Sequence, residues 1–192
     1  VTTFNLDEYL GLHGEHPQSY RYFMNEQLFN AIDIDLQNTF VPNGDTKNPL
    51  ETCADYEALI KQRGGVDLQL LGIGRNGHIG FNEPPSTQDS ICRIVSLAES
   101  TIALGGYPAN SVGLTLGVAE IMASRRIIML ATSDQKSKIM AKALSTRPTP
   151  DCPASLLRNH PDLHIILDHD AASIINSNQQ KVDQNAIFTH HG

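Results

Sequence analysis

The 192-residue chain has few cysteines, no long hydrophobic run and no excess of positive charge. Asp and Glu number 21 against 14 Lys and Arg, so the net charge is −7. A negatively charged surface repels nucleic acids and anionic membranes, and we therefore expect neither as a partner. An anionic small molecule is still allowed, because a few local hydrogen-bond donors can hold one phosphate.

The hydrophobic segments fall short of the ~20 apolar residues that a membrane-spanning helix needs, and the N-terminus lacks the basic and then apolar pattern of a signal peptide. The three cysteines, Cys53, Cys92 and Cys152, are widely spaced and odd in number. This pattern fits neither a disulfide framework nor a CxxC metal site. We expect reduced thiols in a cytoplasmic protein, without a bound metal.

Strand-like and helix-like segments alternate along the chain. Helical spacing of apolar residues and helix-boundary residues predict helices over residues 17–32, 49–63, 134–145 and 153–159, with Ser133 as the N-cap of the third. Apolar runs predict strands over residues 1–6, 66–74, 91–97, 125–131 and 163–167. The run over 125–131 is continuous enough to predict a strand buried on both faces. The alternation predicts an α/β fold with a mostly parallel sheet.

No internal repeat and no linker rich in Pro, Gly or Ser divides the chain. We therefore expect one domain over residues 1–172, which is long enough for a hydrophobic core. Residues 173–192 are polar and rich in Asn and Gln, which predicts a C-terminal tail.

In parallel α/β sheets, ligands bind at the carboxyl ends of the strands. Asp7 and Glu8 follow the first predicted strand, and a glycine-rich segment follows the strand over 66–74. Paired acids at a strand end are more often a solvated edge or a helix cap than a functional site. Position alone therefore favours a structural role for Asp7 and Glu8.

The glycine-rich segment, residues 71–84, reads LGIGRNGHIGFNEP. Its glycines permit close backbone approach, but the acidic residue of a dinucleotide site, expected about 20 residues later, is not clearly placed. The segment also carries His78 and Glu83, and a carboxylate near a histidine can orient it for proton transfer. The spacing fits a proton-transfer site and a capped turn with a surface histidine equally well.

Two cations could bind an anion near these segments. Lys136 opens a predicted helix, where backbone donors favour negative charge, and Arg75 lies inside the glycine-rich segment. Taken alone, Lys136 is more typical of an exposed helix lysine than of a ligand-binding residue, whereas Arg75 fits an anion-binding and a solvated side chain equally well.

Three segments together resemble signatures of the glucosamine-6-phosphate deaminase (isomerase) family. They are FNLDEYLGL at residues 4–12 followed by HPQSY at 16–20, GIGRNGHIGFNEP at 72–84, and CPASLLRNHP at 152–161. The 6-phosphogluconolactonases, a sister group, share the fold and a glycine–histidine loop but typically lack the FNEP and FNxDEY strings. The resemblance implies a Rossmann-like fold.

The resemblance implies conversion of an amino-sugar 6-phosphate into fructose 6-phosphate and ammonia, without a metal or organic cofactor. His78 matches the family's ring-opening acid and base, Glu83 matches the carboxylate that works with it, and Asp7 matches the base that removes the C2 proton. Asn76 stands where the family often has Asp. An asparagine can orient an imidazole but carries no charge to stabilise imidazolium. We therefore expect the acid–base behaviour of His78 to be altered but not lost.

For binding, the resemblance implies that Lys136 contacts the substrate phosphate and that Glu8 and Gly77 belong to the substrate site. Arg93 stands where allosteric members carry an effector-site arginine. The family's first βαβ unit, with a Gly- and Thr-rich phosphate loop, and a phosphate-binding arginine after residue 100 have no match here. We therefore expect a chain that begins partway through the fold and relies heavily on Lys136 for phosphate. The family often forms homo-oligomers, and we expect one here.

Three alternatives stay open at this point. Galactosamine 6-phosphate could be the substrate, because the short segment after residue 100 resembles the smaller galactosamine-type members. Lactone hydrolysis would use His78 to activate water and would not need Asp7. A fragment or an inactive sugar-phosphate-binding protein would account for the missing first unit.

Overall fold

The computed structural model describes residues 1–105 and 111–177. The described strands are β1 (Thr3–Phe4), β2 (Asp7–Tyr9), β3 (Thr39–Phe40), β4 (Leu68–Leu71), β5 (Arg93–Ser96), β6 (Val112–Thr115), β7 (Arg126–Ala131) and β8 (Leu163–Leu167). The α-helices are α1 (Tyr20–Gln27), α2 (Pro49–Gln62), α3 (Glu99–Gly105), α4 (Val118–Met122), α5 (Ser137–Ser145) and α6 (Pro153–Leu156). Short 3-10 turns occupy Phe29–Ala31, Leu36–Asn38, Asp134–Lys136 and Leu157–Asn159.

The strands form three sheets, two of them parallel. The largest parallel sheet has the order β4-β7-β8, and β1 pairs in parallel with β3. The third sheet, β2-β6-β5, is antiparallel. The predicted α/β fold with mainly parallel pairing is confirmed, whereas the antiparallel sheet was not expected, because β6 lies in a segment for which no strand was predicted.

One face of the β4-β7-β8 sheet carries the main hydrophobic core. Ile127 and Met129 of β7 are almost fully buried and pack with Ile139 and Met140 of α5. On the other face the side chains are partly exposed: 41% for Leu130, 58% for Leu70 and 56% for Ile166. The prediction that the 125–131 strand is buried on both faces is therefore wrong for the described residues. Its side chains alternate between buried and exposed, because among the described residues the helices pack against one face of the sheet.

Several predicted boundaries differ from the observed ones. The helix predicted over 17–32 is α1, which ends at Gln27 because Leu28 leaves the helical region with φ −136° and a 3-10 turn follows. Ser133 precedes the 134–145 helix as predicted, but the prediction of a capping side chain is wrong. Ser133 has φ 78° and makes no side-chain cap bond, and its amide donates to Asp168 instead.

The predicted tail, 173–192, is described only at its start. Residues 173–177 are helical, and Ile175 packs against the main core. Residues 178–192 lie outside the described part of the chain. None of the described helices combines the length and the apolar composition that crossing a membrane requires.

Candidate active site

A cavity of about 540 Å³ lies where β4 and β7 end. These strands run parallel, with Leu71 opposite Met129, so the loops that follow them meet at one edge of the sheet. The polar side chains that line the cavity are Asp7, Arg75, His78, Tyr20, Thr101, Gln135 and Lys136. The first, third and last of these were predicted as site residues from sequence, and the fold brings them together.

Asp7 enters the cavity from β2, where it pairs with Thr115 of β6. A Cβ atom on Gly80 would lie 3.1 Å from Asp7 Oδ2, so glycine at that position lets the loop approach the carboxylate. No described basic side chain forms an ion pair with Asp7. Burial, reinforced by the charge of Glu8 and partly offset by the Phe81 amide, raises the pKa of Asp7 to about 7.

His78 enters from the loop that follows β4. The loop closes on itself, with the Gly74 amide donating to the His78 carbonyl at 2.9 Å and the Gly77 amide donating to the Gly74 carbonyl at 3.0 Å. The imidazole lies directly over Gly74, and a Cβ atom there would collide with the ring. Glycine at position 74 therefore leaves the space that the His78 ring occupies.

Asn76 links the imidazole of His78 to the carboxylate of Glu83. His78 Nδ1 lies 2.8 Å from Asn76 Oδ1 and 3.2 Å from Glu83 Oε2. The Asn76 amide donates to the same Oε2 at 2.6 Å. With Nδ1 engaged, the ring nitrogen left to exchange a proton with a ligand is Nε2, for which the described residues supply no hydrogen-bond partner.

The second oxygen of the Glu83 carboxylate accepts a hydrogen bond from Thr101 at 2.5 Å. Burial raises the pKa of Glu83, but hydrogen bonds from His78, Thr101 and Asn76 outweigh burial and lower this pKa to about 2. Glu83 is therefore a permanent carboxylate at neutral pH, beside a histidine that it can orient and whose positive form it can stabilise.

Two cations line another part of the cavity. Lys136 closes the 3-10 turn that follows β7, and its Nζ donates to the Ile73 carbonyl at 2.5 Å. Burial, together with the nearby charge of Arg75, lowers the pKa of Lys136. The Arg75 guanidinium donates to the Gln135 side chain. Such a pair of cations suits an anionic group on a ligand.

Glu8 lies outside the residues that line this cavity, and its place in the substrate site stays a prediction. The side chain is 1% exposed. Its carboxylate accepts from its neighbouring amide, Tyr9, and from the amides of Tyr20 and Arg21 at the start of α1. Glu8 therefore caps a helix from outside that helix, the structural alternative that position alone favoured.

Gly77 also lies outside the residues that line the cavity, and its predicted binding role stays a prediction. It is buried with φ 94°, and its carbonyl accepts from the Ala154 amide at 2.9 Å. A Cβ atom there would lie 2.8 Å from Cys152 Sγ. Gly77 packs the histidine loop against α6.

Arg93 lies on β5, outside the residues that line the cavity. Its guanidinium donates to Asn82 Oδ1 at 2.8 Å and to Ser86 Oγ at 3.0 Å. These bonds hold the chain on both sides of Glu83. An effector role for Arg93 stays a prediction.

Sequence reasoning missed Thr101 and Gln135. Thr101 contacts Glu83 across 18 positions of sequence, from a segment for which no element was predicted. Gln135 adjoins Lys136, and its amide side chain carries no signal of its own. Among the described residues no cluster of three or more His, Cys, Asp or Glu side chains is arranged to bind a metal.

Comparison with known proteins gives concordant matches in sequence. Residues 1–165 match the family model for glucosamine-6-phosphate isomerases/6-phosphogluconolactonase. The glucosamine-6-phosphate deaminase of Shewanella halifaxensis is 50% identical over 180 residues, which cover 90% of this chain and 68% of that protein. The glucosamine-6-phosphate deaminase of Geobacillus sp. is 48% identical over 188 residues, covering 95% of this chain and 75% of that protein.

Comparison of structures gives the same result. A solved monomeric glucosamine-6-phosphate deaminase matches with a TM-score of 0.86 at 40% identity, covering 90% of this chain and 74% of that one. The 6-phosphogluconolactonase of Trypanosoma brucei matches with a TM-score of 0.71 at 20% identity, covering 88% and 72%. The second match shows a shared fold.

Proposed function

Because the chain belongs to the glucosamine-6-phosphate isomerase/6-phosphogluconolactonase family, we propose that it is a glucosamine-6-phosphate deaminase, an enzyme that converts glucosamine 6-phosphate and water into fructose 6-phosphate and ammonia. The observation that carries this proposal is the meeting of Asp7 and His78 on one cavity, with pKa-raising surroundings at Asp7 and a charged Glu83 behind His78. The two relatives near 50% identity bear the same name.

Ring opening is the first step, and His78 carries it. The sugar ring opens when the C1 hydroxyl loses its proton and the ring oxygen gains one. His78 Nε2 is free to move that proton, since Nδ1 is bound by Asn76 and Glu83. The Glu83 carboxylate offsets the positive charge that the imidazole gains in between.

Isomerisation is the second step, and Asp7 carries it. The Asp7 carboxylate removes the proton from C2, the carbon next to C1, and an enolamine forms. A carboxylate with a pKa raised to about 7 is a stronger base than an ordinary aspartate and is still substantially ionised at neutral pH. Protonation at C1 gives a ketimine, water adds to its carbon, and ammonia leaves.

Phosphate binding involves Lys136 together with Arg75. The two cations line the same cavity as the catalytic residues, and Arg75 is close enough to lower the pKa of Lys136. Hydrogen bonds between cations and phosphate oxygens are about twice as strong as neutral ones. Lys136 was expected to bind phosphate almost alone, and Arg75 adds the second cation that a dianion favours.

The same proposal includes a cytoplasmic location, an effector role for Arg93 and self-association, although the solved deaminase is described as monomeric. Galactosamine 6-phosphate stays an alternative substrate. Lactone hydrolysis is the alternative reaction, and the raised pKa of Asp7 argues against it because that reaction does not need this base.

An ammonia-release assay with glucosamine 6-phosphate and galactosamine 6-phosphate tests the proposal. We expect ammonia from the wild type and almost none from Asp7→Asn or His78→Ala. The exposed residues Asp33 and His164 supply matched controls as Asp33→Asn and His164→Ala. Release from neither sugar by the wild type would refute the deaminase function. Full lactonase activity in Asp7→Asn would favour lactone hydrolysis.

A further inference from the structure

We propose that Thr101 is a positioning residue for the reaction, because its hydroxyl fixes the rotation of the Glu83 carboxylate and so holds the Asn76–His78 pair in place. The mechanistic part of this inference rests on the proposed function. The contact itself does not, and it can be measured separately.

The geometry divides the two oxygens of Glu83 between different partners. Oε2 faces the amide of Asn76 and Nδ1 of His78, at 2.6 and 3.2 Å. Oε1 accepts from Thr101 Oγ1. The terminal torsion of a glutamate is soft and allows broad rotation. A hydroxyl on the second oxygen therefore keeps the first one aimed at the histidine.

Thr101 is held in place by its own helix. The helix α3 begins with the amides of Thr101 and Ile102 donating to the Ala98 carbonyl at 2.9 and 3.0 Å. Ile102 packs against the cluster that contains Phe81 and Leu97. The apolar neighbour packs the helix against the core, while Thr101 lines the cavity and its hydroxyl donates to Glu83.

The charge state of Glu83 also depends on this contact. Burial acts to raise the pKa of Glu83, and hydrogen bonds from His78, Thr101 and Asn76 together reverse that effect. Removal of the Thr101 donor is therefore expected to move the Glu83 pKa upward. It would also leave Oε1 without a donor from the described residues.

Variants of similar size separate the effect of the Thr101 hydroxyl from the effect of side-chain packing. Thr101→Val keeps the side-chain volume and removes the donor, whereas Thr101→Ser keeps the donor. Thr3→Val is the control, because the buried Thr3 hydroxyl has no hydrogen-bond partner among the described residues. Thr101→Ala, which adds no new atoms, provides a second donor-free variant should Thr101→Val fail to fold, and circular dichroism reports the fold of each.

The first measurement follows the Glu83 carboxyl carbon by 13C NMR during a pH titration, with Glu83→Gln to assign the signal. A hydrogen bond to a charged group corresponds to about one to two pKa units. We expect an upward shift of that size in Thr101→Val and wild-type behaviour in Thr101→Ser and Thr3→Val. An unchanged Glu83 titration in Thr101→Val overturns the proposal, whether or not the protein is a deaminase.

The second measurement is ammonia release as a function of pH. We expect Thr101→Val to lower kcat by about five- to tenfold and to leave KM within about twofold, with rescue by Thr101→Ser, while the acidic limb of the profile stays near pH 7 because Asp7 sets it. A shifted Glu83 titration with unchanged kcat would overturn the catalytic part. A wild type without ammonia release would refute the deaminase function, while the titration would still decide whether Thr101 positions Glu83.

Discussion

Two carboxylates belong to one site and have opposite surroundings. Asp7 is partly buried, has no ion pair among the described residues and lies next to the carboxylate of Glu8, so its pKa rises to about 7. Glu83 accepts from Thr101, Asn76 and His78, and its pKa falls to about 2. Environments that separate two pKa values in this way distinguish a proton-transfer group from a permanent charge.

The comparison also predicts opposite effects on stability. A raised pKa means that folded Asp7 holds its proton where the unfolded chain has lost it. The contribution of Asp7 is therefore greatest below about pH 4 and is lost as the pH rises through 7. Glu83 contributes above its ordinary pKa of 4.5 and loses that contribution as the pH falls towards 2.

The largest effect is expected for Asp7→Asn, which removes the proposed base. Activity should fall by about 10²–10⁴, while the free energy of unfolding at pH 8 should rise by about 1–3 kcal/mol, because a buried charge is removed. Ammonia release and urea denaturation measure the two effects. The wild type should gain activity as the pH rises through about 7. A variant that is both inactive and less stable would contradict this account of Asp7.

Glu83→Gln should have the next largest effect, with the opposite sign for stability. The Glu83 carboxylate accepts hydrogen bonds from three donors, and a neutral amide accepts them more weakly. We therefore expect a loss of about 1–3 kcal/mol in unfolding free energy at pH 7 and a fall of about 10- to 100-fold in kcat. The same assays apply. A stabilised Glu83→Gln protein would remove the contrast with Asp7.

Glu8→Gln tests whether the second acid of the pair is structural. Glu8 accepts three backbone amides, and loss of its charge should cost about 2 kcal/mol. We expect KM to change by less than about twofold, because Glu8 does not line the cavity. The exposed Glu15 supplies the control Glu15→Gln. A large rise in KM without loss of stability would instead support the predicted substrate-binding role.

Asn76→Asp should have the smallest effect and sharpens the comparison at Glu83. The aspartate removes the amide donor to Glu83 Oε2 and adds a like charge, so the Glu83 pKa should rise. We expect kcat within about tenfold of wild type, since an aspartate can still accept from His78. The 13C titration of the Glu83 carboxyl should move to higher pH, and a shift to lower pH would contradict the proposed arrangement.

Local patterns account for the elements that are regular in sequence. The helix α2 begins at Pro49, as predicted, because proline suits a first helical turn, and it ends at Gln62 ahead of Gly64 and Gly65. The strand β8 has the predicted bounds, Leu163–Leu167. The strand β6 and the helices α3 and α4 were missed, because their boundaries depend on partners that are distant in sequence.

The site residues also divide into those that a sequence motif identified and those whose role only the fold showed. The loop motif identified His78, Glu83 and Asn76, which interact within eight residues of one another. Glu8 and Gly77 lie in the same motifs, but only the fold showed that one caps α1 and the other packs against α6. A motif marks a segment, whereas burial and hydrogen bonds decide which of its side chains face a ligand.

The amino-acid sequence by itself determined the family, the α/β class and the loop that carries the histidine, because these depend on local strings and short-range periodicity. Only the tertiary structure decided that Asp7 meets His78 on one cavity, that Arg75 lies beside Lys136, and that Thr101 holds Glu83. Such contacts join strands and loops far apart in the chain, and the pKa values of the two carboxylates follow from burial and neighbours that exist only in the folded protein.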